Sequence, residues 1–243
     1  MQKNNATIND FNIKHGLKDG LPIGLGYLSV SFAFGVQASI LGVPAFMSLF
    51  ISMTNLTSAG QLAGLTIIAS IGTILEMILT QLVINARYFL MGVSLSQKLD
   101  KNFSIADRFF FSAFITDEIF AVASLKPRAI NKKYFLGLVI LPYVGWSLGT
   151  ILGAVLGDVL PTQITNALGI ALYAMFIAII VPPSIKNKGV LVAILLSAGL
   201  SSAMFYLPFL PKISSGLAVI ISAIITSMIV AFFFPINKEK QHV

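Results

Sequence analysis

The chain of 243 residues contains no cysteine. That excludes disulfides, thiolate metal sites and cysteine nucleophiles. Histidine is nearly absent too, with His15 and His242 both in terminal stretches. Neither a metal site nor a histidine-dependent hydrolase is expected in the apolar body of the chain, and no cofactor is implied. Charge is scarce: 10% of residues are charged against 56% hydrophobic, and mean hydropathy is +0.90. Soluble domains carry about 25% charged residues, and a chain this short cannot hide so much apolar surface from water. The sequence therefore specifies an integral membrane protein. Its net charge of +7 is spread over short gaps between apolar runs, where basic residues report orientation, so no nucleic-acid partner is expected. Residues 1–19 lack an apolar core and a small-residue cleavage site, so no signal peptide is expected.

What is present is a succession of apolar runs. A helix needs about 20 such residues to cross the hydrocarbon layer. Clear spans fall at 20–42, 60–83, 134–157, 167–184, 190–207 and 212–234. The runs 44–56 and 84–96 are shorter, and the first ends in a polar string over 54–61. Non-helical backbone survives at membrane depth only where protein or water satisfies it, so a broken or re-entrant element is expected there. Ser104-x-x-Asp107 before three phenylalanines reads as a capping-box start. It predicts a crossing helix over 105–125 with Thr116, Asp117 and Glu118 at its middle. The fold class is all-α: a polytopic membrane helix bundle of about 7–8 transmembrane segments with one or more broken or re-entrant helices. A tail at 1–19, one transmembrane domain at 20–235 and a tail at 236–243 complete the division.

Orientation follows from lysine and arginine. Lys126, Arg128, Lys132 and Lys133 make one basic loop, and Lys186 and Lys188 another, whereas 158–166 holds only Asp158 and 208–212 only Lys212. The positive-inside rule places both termini and both basic loops in the cytoplasm. An even number of crossings follows, and eight fits if 84–96 crosses. That count puts 97–108 outside despite Lys98, Lys101 and Arg108. A loose likeness between 50–83 and 176–207 is too weak to establish a repeat.

Glycines recur every fourth residue at Gly145, Gly149, Gly153 and Gly157, at Gly16, Gly20 and Gly24, and at Gly60 and Gly64. That spacing stacks them on one helix face and lets backbones approach. Packing within the chain is the expected use; a docking face for a second subunit is the alternative. Trp146 and the scattered phenylalanines read as lipid-facing or interfacial residues.

Ionisable groups at depth are more informative, because a charge at mid-bilayer costs roughly 2.5–3.5 kcal/mol on insertion scales. Glu76, Arg87, Asp117 and Glu118 lie in or near apolar runs. On a continuous 60–83 helix, Thr66, Ser70, Thr73, Glu76 and Thr80 would form one polar stripe lining a substrate or proton path; a buried network between helices is the alternative. Asp117 and Glu118 are adjacent and point about 100° apart, so one is free to pair with Arg87 while the other titrates. Glu76, Asp117 and Glu118 are thus the proton-coupling candidates. Asn55, Ser58, Gln61, Asn85 and Arg87 are the substrate-binding candidates, since unwound backbone and uncharged polar groups suit amino-acid-like ligands. A helix starting near Gly60 would aim its amino-terminal dipole at a carboxylate.

Several strings carry a family likeness: Gly20-Leu-Pro-Ile-Gly24, Ser58-Ala-Gly-Gln61, Ile84-Asn-Ala-Arg-Tyr88, Leu90-Met-Gly-Val-Ser-Leu95 and Thr116-Asp-Glu-Ile-Phe120. In order and spacing the chain resembles the AzlC family of branched-chain amino-acid export subunits over about residues 16–235. Tyr88 stands where the family often has histidine, which leaves any proton role to carboxylates. The resemblance implies a secondary exporter of Leu, Ile and Val, and of Met or analogues, in a bacterial cytoplasmic membrane. It also implies a separately encoded small AzlD-type membrane subunit as partner. The residues themselves agree in class. There is no P-loop and no nucleophile with a helper, so an enzyme is not expected. A passive channel and a non-transporting structural subunit remain the rival readings.

Overall fold

The computed structural model describes residues 12–126, 129–157, 159–161, 163, 164, 167, 170, 177, 180–185, 187–207 and 213–234. The expected 167–184 crossing, both outer tails, Arg128, Asp158, Lys186 and Lys212 lie wholly or largely outside them. Nine helices are defined among the described residues: α1 Ile13–Ile40, α2 Ala45–Thr54, α3 Ser58–Ala69, α4 Ile74–Ser96, α5 Ile105–Ser112, α6 Asp117–Ser124, α7 Lys132–Leu156, α8 Lys188–Tyr206 and α9 Ser215–Phe233. The described residues hold no strand beyond one isolated bridge between Leu99 and Ile130. Among the described residues five helices are long and apolar enough to cross a membrane: α1, α4, α7, α8 and α9. The all-α polytopic reading holds. The chain divides into two compact units, Met1–Leu62 with Asn85–Gly169 and Ala63–Ile84 with Ile170–Val243.

The first unit is built on α1 and α7, which run parallel with their backbones in contact. A methyl group added at Gly16 would overlap the Tyr134 carbonyl, and one at Gly137 the Ile13 carbonyl. Further along, Gly24 meets Leu141, Gly145 meets Gly24, Gly149 meets Leu28 and Ser31, and Gly35 and Gly153 meet Thr150 and Phe32. Gly157 faces Ser39. Helices in lipid gain little from burying apolar groups against each other, so close backbone approach through small residues supplies the association. The glycine rows of α1 and α7 therefore serve packing within the chain. Pro142 removes a helical donor to the Leu138 carbonyl, and that carbonyl lies against Gly20.

Two segments of this unit depart from the sequence reading. The expected 105–125 crossing is two eight-residue helices separated by Ala113 to Thr116. Each helix rises only about 12 Å, and both outer ends lie at the start of α1 and α7. There Leu99 bridges Ile130, Lys98 Nζ donates to the Ser124 carbonyl, and Asp107 pairs with Lys132 at 2.5 Å. Lys126 pairs with Asp19 at 2.6 Å, and Asp19 also accepts from the Tyr134 hydroxyl. The segment is a re-entrant hairpin, and 97–108 shares a side with the 126–132 loop; placing it outside was the error that a full crossing forced. The capping box at Ser104 and Asp107 is present as expected. Lys132 and the Ser104 bonds hold the Asp107 carboxyl down at about 2.

The second departure lies at 54–61. α2 descends along α7 from the opposite end, where Ser52 Oγ meets Thr150 Oγ1 at 2.7 Å and Tyr143 donates to the Met53 carbonyl. The chain turns at 55–57, and Gln61 comes back beside Ser52 at 2.9 Å. A segment continuing straight would carry position 61 more than 10 Å beyond position 52, given about 1.5 Å of rise per helical residue.

In the second unit the expected 60–83 helix is interrupted. Gly72 N–H bonds to the Ile67 carbonyl and Ile71 N–H to the Ile68 carbonyl, a Schellman closure that ends α3. Its left-handed position holds Ile71 at φ 54°, where glycine is usual and a β-branched residue is strained. The polar stripe from Thr66 to Thr80 is therefore split between two helices. The 84–96 run is the second half of α4, a continuous 23-residue helix. α8 and α9 pair through Ser197 with Thr226 at 3.2 Å and Ser201 with Ser222 at 2.9 Å.

Two outcomes are expected. Gly24→Ala lowers the thermal unfolding midpoint in detergent by an amount equivalent to about 1–3 kcal/mol, whereas Gly26→Ala, whose new Cβ meets nothing within 4 Å, stays within about 0.5 kcal/mol of wild type; equal effects would remove the backbone contact as the constraint. Asn102→Cys, the sole thiol in the protein, reacts with an impermeant maleimide in inverted vesicles and not in intact cells. The reverse pattern would restore the outside placement.

Candidate functional site

The two interruptions enter the first unit from opposite ends of the α1–α7 pair and meet at its middle. Tyr27, near the midpoint of the 28-residue α1, packs with Leu56 from the first tip and with Trp146 from α7 in one buried cluster. The Tyr27 and Trp146 rings meet edge-on at 4.9 Å. Phe114 from the second tip packs on Tyr143 at 5.3 Å.

Each tip brings polar groups. Gln61 is 1% exposed. Its Nε2 donates to Ser52 Oγ at 2.9 Å, and its Oε1 accepts from Trp146 Nε1 at 3.2 Å. Trp146 is thus a buried hydrogen-bonding residue, contrary to the lipid-facing expectation; one indole donor and one amide satisfy each other away from water. At the second tip Thr116 caps α6 by accepting from Ile119 N–H at 3.3 Å. Tyr27 Oη pairs with Thr116 Oγ1 at 2.6 Å and donates to the Glu118 carboxylate. Asp117 pairs with Arg87 at 2.9 Å. Arg87 also donates to the Tyr88 hydroxyl at 3.0 Å and lies over that ring. The adjacent carboxylates point to different partners, as their angular separation requires. Both occupy the first turn of α6, where the positive end of the helix dipole favours anions.

A chain of contacts therefore runs from Thr150 and Ser52 through Gln61, Trp146 and Tyr27 to Glu118, with Asp117 and Arg87 adjoining. It joins four of the candidate residues named from sequence. Asn55 closes α2 and accepts from Thr57 Oγ1 at 2.9 Å, Ser58 opens α3, and Asn85 is half-buried on α4 two residues before Arg87. Glu76 belongs to the second unit. It is 7% exposed, and its Oε1 accepts from Gly216 N–H at 3.0 Å in the first turn of α9. A Cβ at Gly216 would collide with Glu76 and Thr80, so the carboxylate sits on the helix end itself. Tyr27, Ser52 and Thr150 were not singled out from sequence, and Thr116 was noted only for its place in the 105–125 run and at the head of a family string. Tyr27 and Trp146 carried one usable signal: each lies within three residues of glycines on a packing face.

These helices, with interrupted segments meeting at mid-depth and charged groups at the junction, define a polytopic all-α membrane protein. The chain belongs to the AzlC family: a family model described as AzlC protein matches residues 22–160. It is 27% identical over 226 residues to the inner membrane protein YgaZ of Escherichia coli K12, covering 90% of each chain. It is 30% identical over 197 residues to an uncharacterized membrane protein of Archaeoglobus fulgidus, covering 80% of this chain and 84% of the relative. No solved structure matches it.

Gln61→Leu leaves the Trp146 donor and the Ser52 hydroxyl short of a partner, at a cost of about 1–3 kcal/mol. Because Trp146 is the only tryptophan, its emission maximum reports the change directly. An unaltered spectrum and an unaltered unfolding midpoint would show that the bond contributes nothing.

Proposed function

We propose that the protein exports branched-chain amino acids (Leu, Ile, Val, with Met or analogues) as a secondary transporter subunit, by proton-coupled alternating access. The carrying observation is the junction of the two interrupted segments at the middle of α1 and α7. Broken helices expose backbone donors and acceptors that a zwitterionic substrate can use. At the same depth Arg87 offers a cation for a carboxylate, Asp117 and Glu118 offer anions for an ammonium group or a proton, and Asn85 offers an uncharged amide. Gln61, bonded to Ser52 and Trp146, reaches a substrate only by exchanging one of those partners. Asp117 and Glu118, held by side chains of other helices, are the proposed proton-coupling groups. Glu76, bonded to α9, is the weaker coupling candidate. A small AzlD-type membrane subunit is the proposed partner.

Efflux of labelled leucine from preloaded cells tests this reading, with the chain alone, with its small partner, and with the partner alone. Export from the pair only, abolished by a protonophore, supports it. Asp117→Asn is expected to bring efflux to background while the protein still reaches the membrane. Efflux that follows the leucine gradient and ignores the protonophore would mark a passive permease instead.

A further inference from the structure

A cavity of about 410 Å³ lies beside the second half of α4, bounded by α5 and the start of α7. Val93, Phe111, Ile115 and Phe135 supply apolar walls. Tyr88 stands at one end, joined to Arg87 and through it to Asp117. Arg108 also lines the cavity, its Nη1 donating to the Ser96 carbonyl at 3.0 Å. Among the described residues no carboxylate pairs with Arg108, because neighbouring Asp107 is held by Lys132. A guanidinium has five N–H donors, so the bond to Ser96 leaves capacity for a further acceptor. Gly92 enlarges the space: a Cβ there would meet only Ile115 Cδ1, at 3.8 Å. Glycine inside a helix costs about 1 kcal/mol relative to alanine, and here no neighbouring backbone demands it.

We infer that this cavity is the cytoplasmic-side seat of the cargo, taking an aliphatic carboxylate of amino-acid size with its carboxylate on Arg108 and its branched chain against the wall of Val93, Phe111 and Ile115. The assignment to an amino acid rests on the export reading above. A planar guanidinium binds a carboxylate through two parallel hydrogen bonds, and the aromatic walls suit a branched aliphatic group over a charged one. From this seat the ligand adjoins Tyr88, and so the Arg87–Asp117 pair at mid-depth.

The absence of cysteine makes the test direct. Ser112, on the cavity wall, is replaced in the full chain by Ser112→Cys, with Gly92→Cys as a second probe should the first fold poorly. Alkylation by a maleimide is timed in inverted phosphatidylcholine vesicles containing the small partner, with L-leucine, L-lysine, L-aspartate or octanoate added. Leucine is expected to slow the reaction at least about fivefold and saturably, a difference near 1 kcal/mol, while lysine and aspartate do not. Arg108→Gln in the same background is expected to remove the protection. Leucine export by the wild-type pair without protection at either cysteine would overturn the inference and leave the export reading standing. Protection by octanoate but not leucine would keep the aliphatic-anion site and overturn its assignment to the cargo. Protection in phosphatidylglycerol vesicles without any added ligand would assign the cavity to an anionic lipid and overturn the inference as well.

Discussion

The first unit depends on the backbone contact between α1 and α7. Eight glycines across the two helices remove the side chains that would hold the cylinders apart, and carbonyls of one helix lie where Cβ atoms of the other would be. In lipid this contact replaces the hydrophobic drive that assembles soluble bundles. It also sets the geometry of everything else. Tyr27 and Trp146, on the two helices, are brought ring to edge at the middle of the pair, and both interrupted segments end on that aromatic step.

Interrupting a helix at membrane depth leaves donors and acceptors without partners, and each costs several kcal/mol if none is found. The structure meets that demand locally. Thr116 closes the start of α6, the Thr57 carbonyl takes up Gln61 N–H, and Gln61 ties both its amide groups to Ser52 and Trp146. The charges obey the same rule. Asp117 has its guanidinium and Glu118 its phenol, and both stand at a helix end whose dipole already favours them. Arg87 and Asp117 nonetheless keep 45% and 41% of their side chains accessible, which leaves the pair reachable by a third charged group.

Glu76 shows the other use of a carboxylate among apolar helices. It accepts from the backbone of α9 beside a glycine that must stay small. Such a group organises helix ends, whereas Asp117 and Glu118 are held by side chains, which can exchange partners without unwinding a helix. Similar residue chemistry thus serves two purposes according to whether backbone or side chain holds it.

Composition and run length were enough to establish a helical membrane protein, because burial in lipid demands apolar residues whatever the topology. The four-residue glycine spacing was legible as packing, and the separation of Asp117 from Glu118 followed from helix geometry alone. Local capping chemistry was legible at Ser104 too. What stayed hidden was direction. A run of twenty residues that crosses and one that turns back halfway have the same hydropathy, and a break at 113–116 carries neither proline nor glycine to mark it. Only contacts far apart in sequence, Leu99 with Ile130 and Asp107 with Lys132, return the ends of 105–124 to one side. The continuous helix read over 60–83 failed for a related reason: a strained, left-handed isoleucine ends α3 where sequence rules look for glycine. The junction itself needed Tyr27 and Trp146, whose roles arise from the helix they face rather than from any motif they belong to.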